Sequence, residues 1–89
     1  MITSAAVKIF DFRQNKEIII PCHRHCDAFF ILKEFGYKPY DEYKEIEQGF
    51  LNEKDEFLNR QEAWNEAYKH NQLKTNDPTC KILFSEDLW

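Results

Sequence analysis

The sequence predicts an α+β fold: a small antiparallel sheet laid out as β-hairpin, helix, β-hairpin, helix, with the C-terminal tail packed on the body or on a neighbouring subunit. Three observations predict it. Two apolar runs flank the polar turn Arg13-Gln14-Asn15-Lys16, a Phe-rich helical stretch is stopped by Gly36 and Pro39, and a strand, turn, strand and helix start follow one another between Glu47 and Ala63. At 89 residues and 43% hydrophobic content there is material for one core and not for two, so residues 1–89 form a single domain.

The first run, Ile2 to Phe12, carries Val7, Ile9, Phe10 and Phe12 close to strand alternation. The second, Glu17 to Ile20, is β-branched, and the pair reads as a β-hairpin. Pro21 is expected to end the second strand, because it has no amide to give to a ladder. His23 to Phe35 has the length and composition of a helix, with Phe29, Leu32 and Phe35, and Cys26 and Phe30 beside them, as the expected buried stripe. Gly36, followed by Pro39, supplies its stop. Tyr37 to Ile46 fits neither period and reads as a connection holding one helical turn; the alternative is a more helical form in which residues 40–48 also coil.

Next comes the most strongly marked stretch. Gln48-Gly49-Phe50 reads as a short strand, Asn52 to Glu56 as a polar turn, and Phe57-Leu58 as a second strand. Asn59 and Glu62 then form a capping box with Asn in place of Ser or Thr, and Leu58 and Ala63 occupy the two positions of a hydrophobic staple. The second helix should run from Arg60 to about Asn71, with Ala63, Trp64, Ala67 and Tyr68 on one face. Asn76-Asp77-Pro78 is a turn signal, and the tail runs from Ile82-Leu83-Phe84 to Ser85-Glu86-Asp87-Leu88-Trp89.

Composition excludes several function classes. A net charge of −4 argues against coating a nucleic acid polymer, which takes clustered Lys and Arg. No apolar stretch is long enough to span a membrane and none reads as a signal peptide, which points to the cytosol and to three reduced Cys. An aromatic share of 16% in so short a chain points to a homo-oligomer that hides the rings.

Candidate chemistry is sparse. Cys22-His23-Arg24-His25-Cys26 offers zinc's preferred ligands at poor spacing, since on a helix only Cys22 and Cys26 share a face. No metal or cofactor is therefore expected, and Cys26 reads as a small buried hydrophobe. Two Gly in the whole chain exclude a phosphate-cradling glycine loop. Neither paired carboxylates nor a Ser/His/Asp set stands out, so no catalytic residue is assigned; a nucleotide hydrolase using His23 or His25 as base is the enzymatic alternative.

Helix starts remain. His23, Arg24 and His25 fit a phosphate site, where free amides and a positive potential meet a forked guanidinium; ordinary exposed polar residues are the plain alternative. Arg60 lies in a first helical turn, where the helix dipole disfavours a cation, so it either makes a surface pair with Glu53, Asp55 or Glu56 or faces an anion. Phe50 reads as a surface for a base or as a core residue, and the terminal Trp89, after two acids, as an anchor for the tail.

Three blocks carry a resemblance: Arg24-His25 after a β-hairpin, Gln48-Gly49-Phe50 through Phe57-Leu58-Asn59-Arg60-Gln61-Glu62-Ala63, and Ser85-Glu86-Asp87-Leu88-Trp89. In this order they resemble a group of small phage anti-defence sponges, which read roughly as a His pair, "QGF", "F-x-[DN]-R-x-E-A" and "SEDLW". Either His23 or His25 fills the pair, and the turn Asn52 to Glu56 stands where the group has Ser-x-Gly-Arg. The resemblance implies a phage-encoded, non-enzymatic homo-oligomer in the host cytoplasm. Its expected ligand is a cyclic nucleotide second messenger, either a cyclic oligonucleotide of CBASS-type defence or a cyclic ADP-ribose derivative of Thoeris-type defence. It implies a pocket at a subunit interface, with His23, Arg24, His25 and Arg60 on phosphates, Phe50 against a base, and Asp87 and Trp89 contributed by the tail. The alternative is an inhibitor that binds a host defence protein through the acidic, Tyr-rich segment 37–47.

Overall fold

The computed structural model describes residues 1–74 and 82–88, so the turn at Asn76-Asp77-Pro78, Cys80 and Trp89 lie outside the described residues. Its order is β1 (Ile2–Asp11), β2 (Lys16–Cys22), α1 (His25–Glu34), β3 (Tyr43–Asn52), β4 (Phe57–Asn59), α2 (Arg60–Lys69) and a short 3₁₀ turn, Ser85–Asp87. The strands form one antiparallel sheet in the order β2-β1-β3-β4. The α+β class and both hairpins are as the sequence predicts.

The apolar side chains of β1 that face the helices, Ala5, Val7 and Ile9, divide between two clusters. Ala28 and Leu32 of α1 close over Val7, Ile9 and Tyr43, whereas Ala63, Trp64 and Ala67 of α2 close over Ile2, Ala5, Phe50 and Leu83. Cys22 borders both clusters. The opposite face of the sheet, with Lys8 and Ile19 paired across β1 and β2, carries no helix among the described residues.

Both helices stop as their sequences indicate. Gly36 sits at φ +78°, and the amides of Gly36 and Tyr37 return to the carbonyls of Lys33 and Leu32, a Schellman closure that a positive φ requires. Asn71 does the same for α2 at φ +57°, with Asn71 and Gln72 amides on Tyr68 and Ala67 carbonyls. The capping box at Asn59 is closed from both sides, 2.8 Å to the Glu62 amide and 3.0 Å back to the Asn59 amide.

Four local expectations give way to tertiary context. Pro21 does not end β2: it pairs with Ala6 on an edge strand, where its missing amide faces no neighbour. Residues 43–48 are neither connection nor coil but the first half of β3. Their alternation is broken where the register slips between Lys8↔Glu47 and Ile9↔Glu45, leaving Ile46 as an unpaired bulge residue. The buried stripe of α1 is His25, Ala28 and Leu32 with Phe29 half-buried; Cys26, Phe30 and Phe35 are exposed, because anchoring of His25 under β3 turns the helix away from the Phe-rich face. On α2, Tyr68 lies on the rim, stacked on Trp64 at 5.1 Å.

Candidate functional site

The residues that the sequence singles out are scattered over three blocks, and the fold brings most of them to one corner. There the starts of α1 and α2, the middle of β3 and residues 83–85 of the tail touch.

Arg60 is the hinge of this corner. Its Nη1 donates to the Leu83 carbonyl at 2.7 Å, its Nη2 to Gln48 Oε1 at 2.6 Å, and the guanidinium lies 4.9 Å from the centre of the Phe84 ring. The Leu83 amide donates back to the Arg60 carbonyl at 2.9 Å, so one residue of the tail is held from both sides. The surface pairs considered for Arg60 are not formed: Glu53 takes the N-terminal ammonium, and Glu56 accepts from the Asn52 side-chain amide.

Arg24 is the residue before α1, and its Nη1 reaches the buried Ser85 hydroxyl at 3.4 Å. Asp27, in the first turn, accepts from the Arg24 amide at 3.2 Å and offsets the local positive charge. His25 is buried, with Nε2 2.8 Å from the Gly49 carbonyl and its ring edge-on to Phe50 at 5.1 Å. A carbonyl only accepts, so Nε2 carries the proton in this bond.

Phe50 is fully buried in the α2 cluster. It is the core residue of the two readings given above, and no face of it is open for a base. Gly49 is what allows the crossing there, since a Cβ would lie 2.3 Å from the Leu58 carbonyl oxygen and 2.5 Å from Phe57 Cζ.

Asp87 closes the 3₁₀ turn: its carboxylate accepts from the Phe84 amide at 3.0 Å and its carbonyl from the Lys74 amide at 2.7 Å. His23 lies on the exposed approach to α1 and, with Thr3, Ser4 and Cys22, lines a shallow hollow of about 360 Å³. Residues 82–88 therefore pack on the body of their own chain, with Leu83 fully buried. Ser85 and Gln48 are partners that sequence reasoning did not assign, although both lie inside the motif blocks and carry the acceptors that two arginines need.

Among the described residues no group of three or more His, Cys, Asp and Glu is placed to hold a metal ion. Cys22 is the last residue of β2 and not helical; burial, and then the charge of Asp27, push its thiol up to about 11. Cys26, expected to be buried, is exposed on α1. No helix of the described residues is long and apolar enough to cross a membrane.

No curated protein and no solved structure matches the chain. A family model described as Phage T4 y16D protein matches residues 1–89. The match supplies phage origin and names neither a ligand nor an activity. An antiparallel α+β fold whose three motif blocks close one corner, in a chain matched from end to end, thus belongs to the phage T4 y16D protein family.

Proposed function

We propose that this phage protein binds and sequesters a cyclic nucleotide second messenger of bacterial immunity without cleaving it. The messenger would be a cyclic oligonucleotide of CBASS-type defence or a cyclic ADP-ribose derivative of Thoeris-type defence, captured in the host cytoplasm. The observation that supports the reading most is the corner itself. Three blocks resembling the sponge group, separated by more than twenty residues each, meet in space and bring two arginines to one place. Among the described residues Arg24 reaches Ser85 Oγ, and Arg60 reaches Gln48 Oε1 and the Leu83 carbonyl, so a phosphate entering the corner would have to share or displace these acceptors.

Oligomer formation belongs to the same reading. Phe30 on the outer side of α1 and Phe35 at its C-cap are 64% and 71% exposed, and a second copy would cover them. The rival reading, inhibition of a host defence protein through segment 37–47, draws support from Tyr40, which stands 87% exposed.

One experiment separates the readings. The protein is incubated with cyclic GMP–AMP, a cyclic trinucleotide or cyclic ADP-ribose, washed, and heated to release what it held. Intact ligand supports sequestration, cleaved ligand an enzyme, and no retention the protein partner. Light scattering on the same sample gives the oligomeric state, and a monomer of 10.8 kDa would remove the interface pocket.

A further inference from the structure

We infer that the cleft between the C-terminal half of α1 and residues 36–45 is the nucleoside phosphate site, with the base among its tyrosines and the phosphate on its lysines. The inference deepens the sequestering reading and rests on it for the class of ligand, while placing that ligand away from the arginine corner.

The cleft holds about 620 Å³ and is lined by Phe29, Phe30, Tyr37 and Tyr43 together with Lys33 and Lys38. A second hollow of about 510 Å³ shares Phe29, Pro39 and Tyr43 with it and adds Tyr40, Lys44 and Glu45, so the two form one aromatic trough with two lobes. Each lobe has the size of a small-molecule site. Aromatic walls give a planar base a stacking surface of either sequence type, and ammonium groups at the rim complement phosphate. In a chain of net charge −4, a trough lined by three lysines against one carboxylate, Glu45, runs against the overall balance. None of the three makes an ion pair among the described residues, and Glu42, the acid that feels Lys38, is taken by Arg13.

The wall is built before any ligand arrives. Tyr37 donates its hydroxyl to Asp11 Oδ2 at 2.9 Å, and Asp11 is fully buried. The Arg13 guanidinium lies 4.0 Å from the centre of the Tyr37 ring and donates to the Gly36 carbonyl at 2.9 Å. Tyr43 packs edge-on to Tyr37 at 6.4 Å. Tyr40 adopts φ +67°, a left-handed backbone that aromatic residues rarely take, fixed by its amide on the Tyr43 carbonyl at 2.8 Å. The chain thus bends at a strained position to hold out a ring that is 87% exposed.

The test titrates the intact protein with AMP, adenosine, inorganic phosphate and cyclic GMP–AMP, by calorimetry and by NMR of the tyrosine rings. AMP or cyclic GMP–AMP should shift Tyr37, Tyr40 and Tyr43, adenosine should bind at least about tenfold more weakly, and phosphate alone should leave the rings unmoved. Lys33→Gln with Lys38→Gln changes two exposed side chains, so the fold should persist and nucleotide affinity fall about tenfold or more. Retained nucleotide with unchanged affinity in that double variant overturns the cleft and leaves sequestration standing. Loss of binding in Arg60→Gln alone, with no ring shifts in the parent, also overturns it and returns the ligand to the corner. Failure of the parent protein to hold any nucleotide overturns both.

Discussion

Replacing Arg60 by Ala tests whether the corner is a lock or a decoration. The change deletes two charge-assisted hydrogen bonds, to the Leu83 carbonyl and to Gln48 Oε1, and a cation–π contact with Phe84. Hydrogen bonds to charged groups contribute about 1.5–3 kcal/mol each when desolvated, but this side chain is only half-buried and water reaches its acceptors once it is gone. A net loss of about 2 kcal/mol follows, which lowers the melting temperature by roughly 8–16 °C in a domain of this size. Arg60→Lys should recover less than half, because one ammonium cannot fork to a carbonyl and an amide in different directions. Urea unfolding gives the free energy, and chymotrypsin cleavage near Phe84 reports release of the tail at sub-denaturing urea. If Arg60 also grips phosphate, nucleotide affinity falls by roughly 2–3 kcal/mol, a factor of about 30–150. A stability change within about 0.5 kcal/mol and unaltered cleavage would refute the lock.

Gly49→Ala should destabilise by about 1–2 kcal/mol in urea unfolding: relief of glycine's unfolded-state entropy contributes up to about 1 kcal/mol, overpacking against the Leu58 carbonyl costs about 1–3, and a carbonyl cannot rotate aside as a side chain does. Iodoacetamide at mildly alkaline pH should modify exposed Cys26 and spare Cys22, whose thiol lies near 11; peptide mass spectrometry decides, and equal labelling would contradict the burial of Cys22. The Glu42 carboxyl is lowered beneath its ordinary 4.5 by the Arg13 hydrogen bond, so its contribution is complete above 4.5 and is lost as the pH falls through the folded value. The opening equilibrium of residues 36–43, taken from amide exchange corrected for the intrinsic rate at each pH, should therefore rise only on the acid side of that range, and Glu42→Gln should remove the rise; a rise that survives the substitution would assign it to another group.

What was legible in the sequence is what short-range chemistry decides. The Asn59 box, the Gly36 and Asn71 closures and the turn before Lys16 each depend on residues within a few positions, and each is where the sequence puts it. The first half of β3 was illegible because its partner is β1, more than thirty residues away, and because the Ile46 bulge erases the period by which a strand is recognised. The buried face of α1 is hidden from the sequence for a related reason. Counting phenylalanines favours one stripe, yet the helix is rotated so that His25 reaches the Gly49 carbonyl and small Ala28 meets β1, and no count of apolar residues contains that bond. Phe50 could be narrowed to two fates by sequence, and only the packing of α2 over it decides for the core.

The arginines show the same logic working in reverse. A cation at a helix start opposes the dipole, and the chain does this twice, at Arg24 and at Arg60. An acid three residues into each start, Asp27 and Glu62, hydrogen-bonds back to the residue that opens the helix and reduces the local cost. What the cations gain is non-local, and both draw on the same segment: Ser85 for Arg24, and Leu83 and Phe84, beside Gln48 of β3, for Arg60. A breach of a local rule in the sequence thus marked the place where the tail docks. Since the tail occupies both forks, a ligand at the corner has to displace or share its acceptors, whereas a ligand in the 29–45 trough meets lysines that no acid holds among the described residues. If the protein sequesters a nucleotide as proposed, this difference in what must be broken favours the trough over the corner for the phosphate and leaves Arg60 as the lock of the tail.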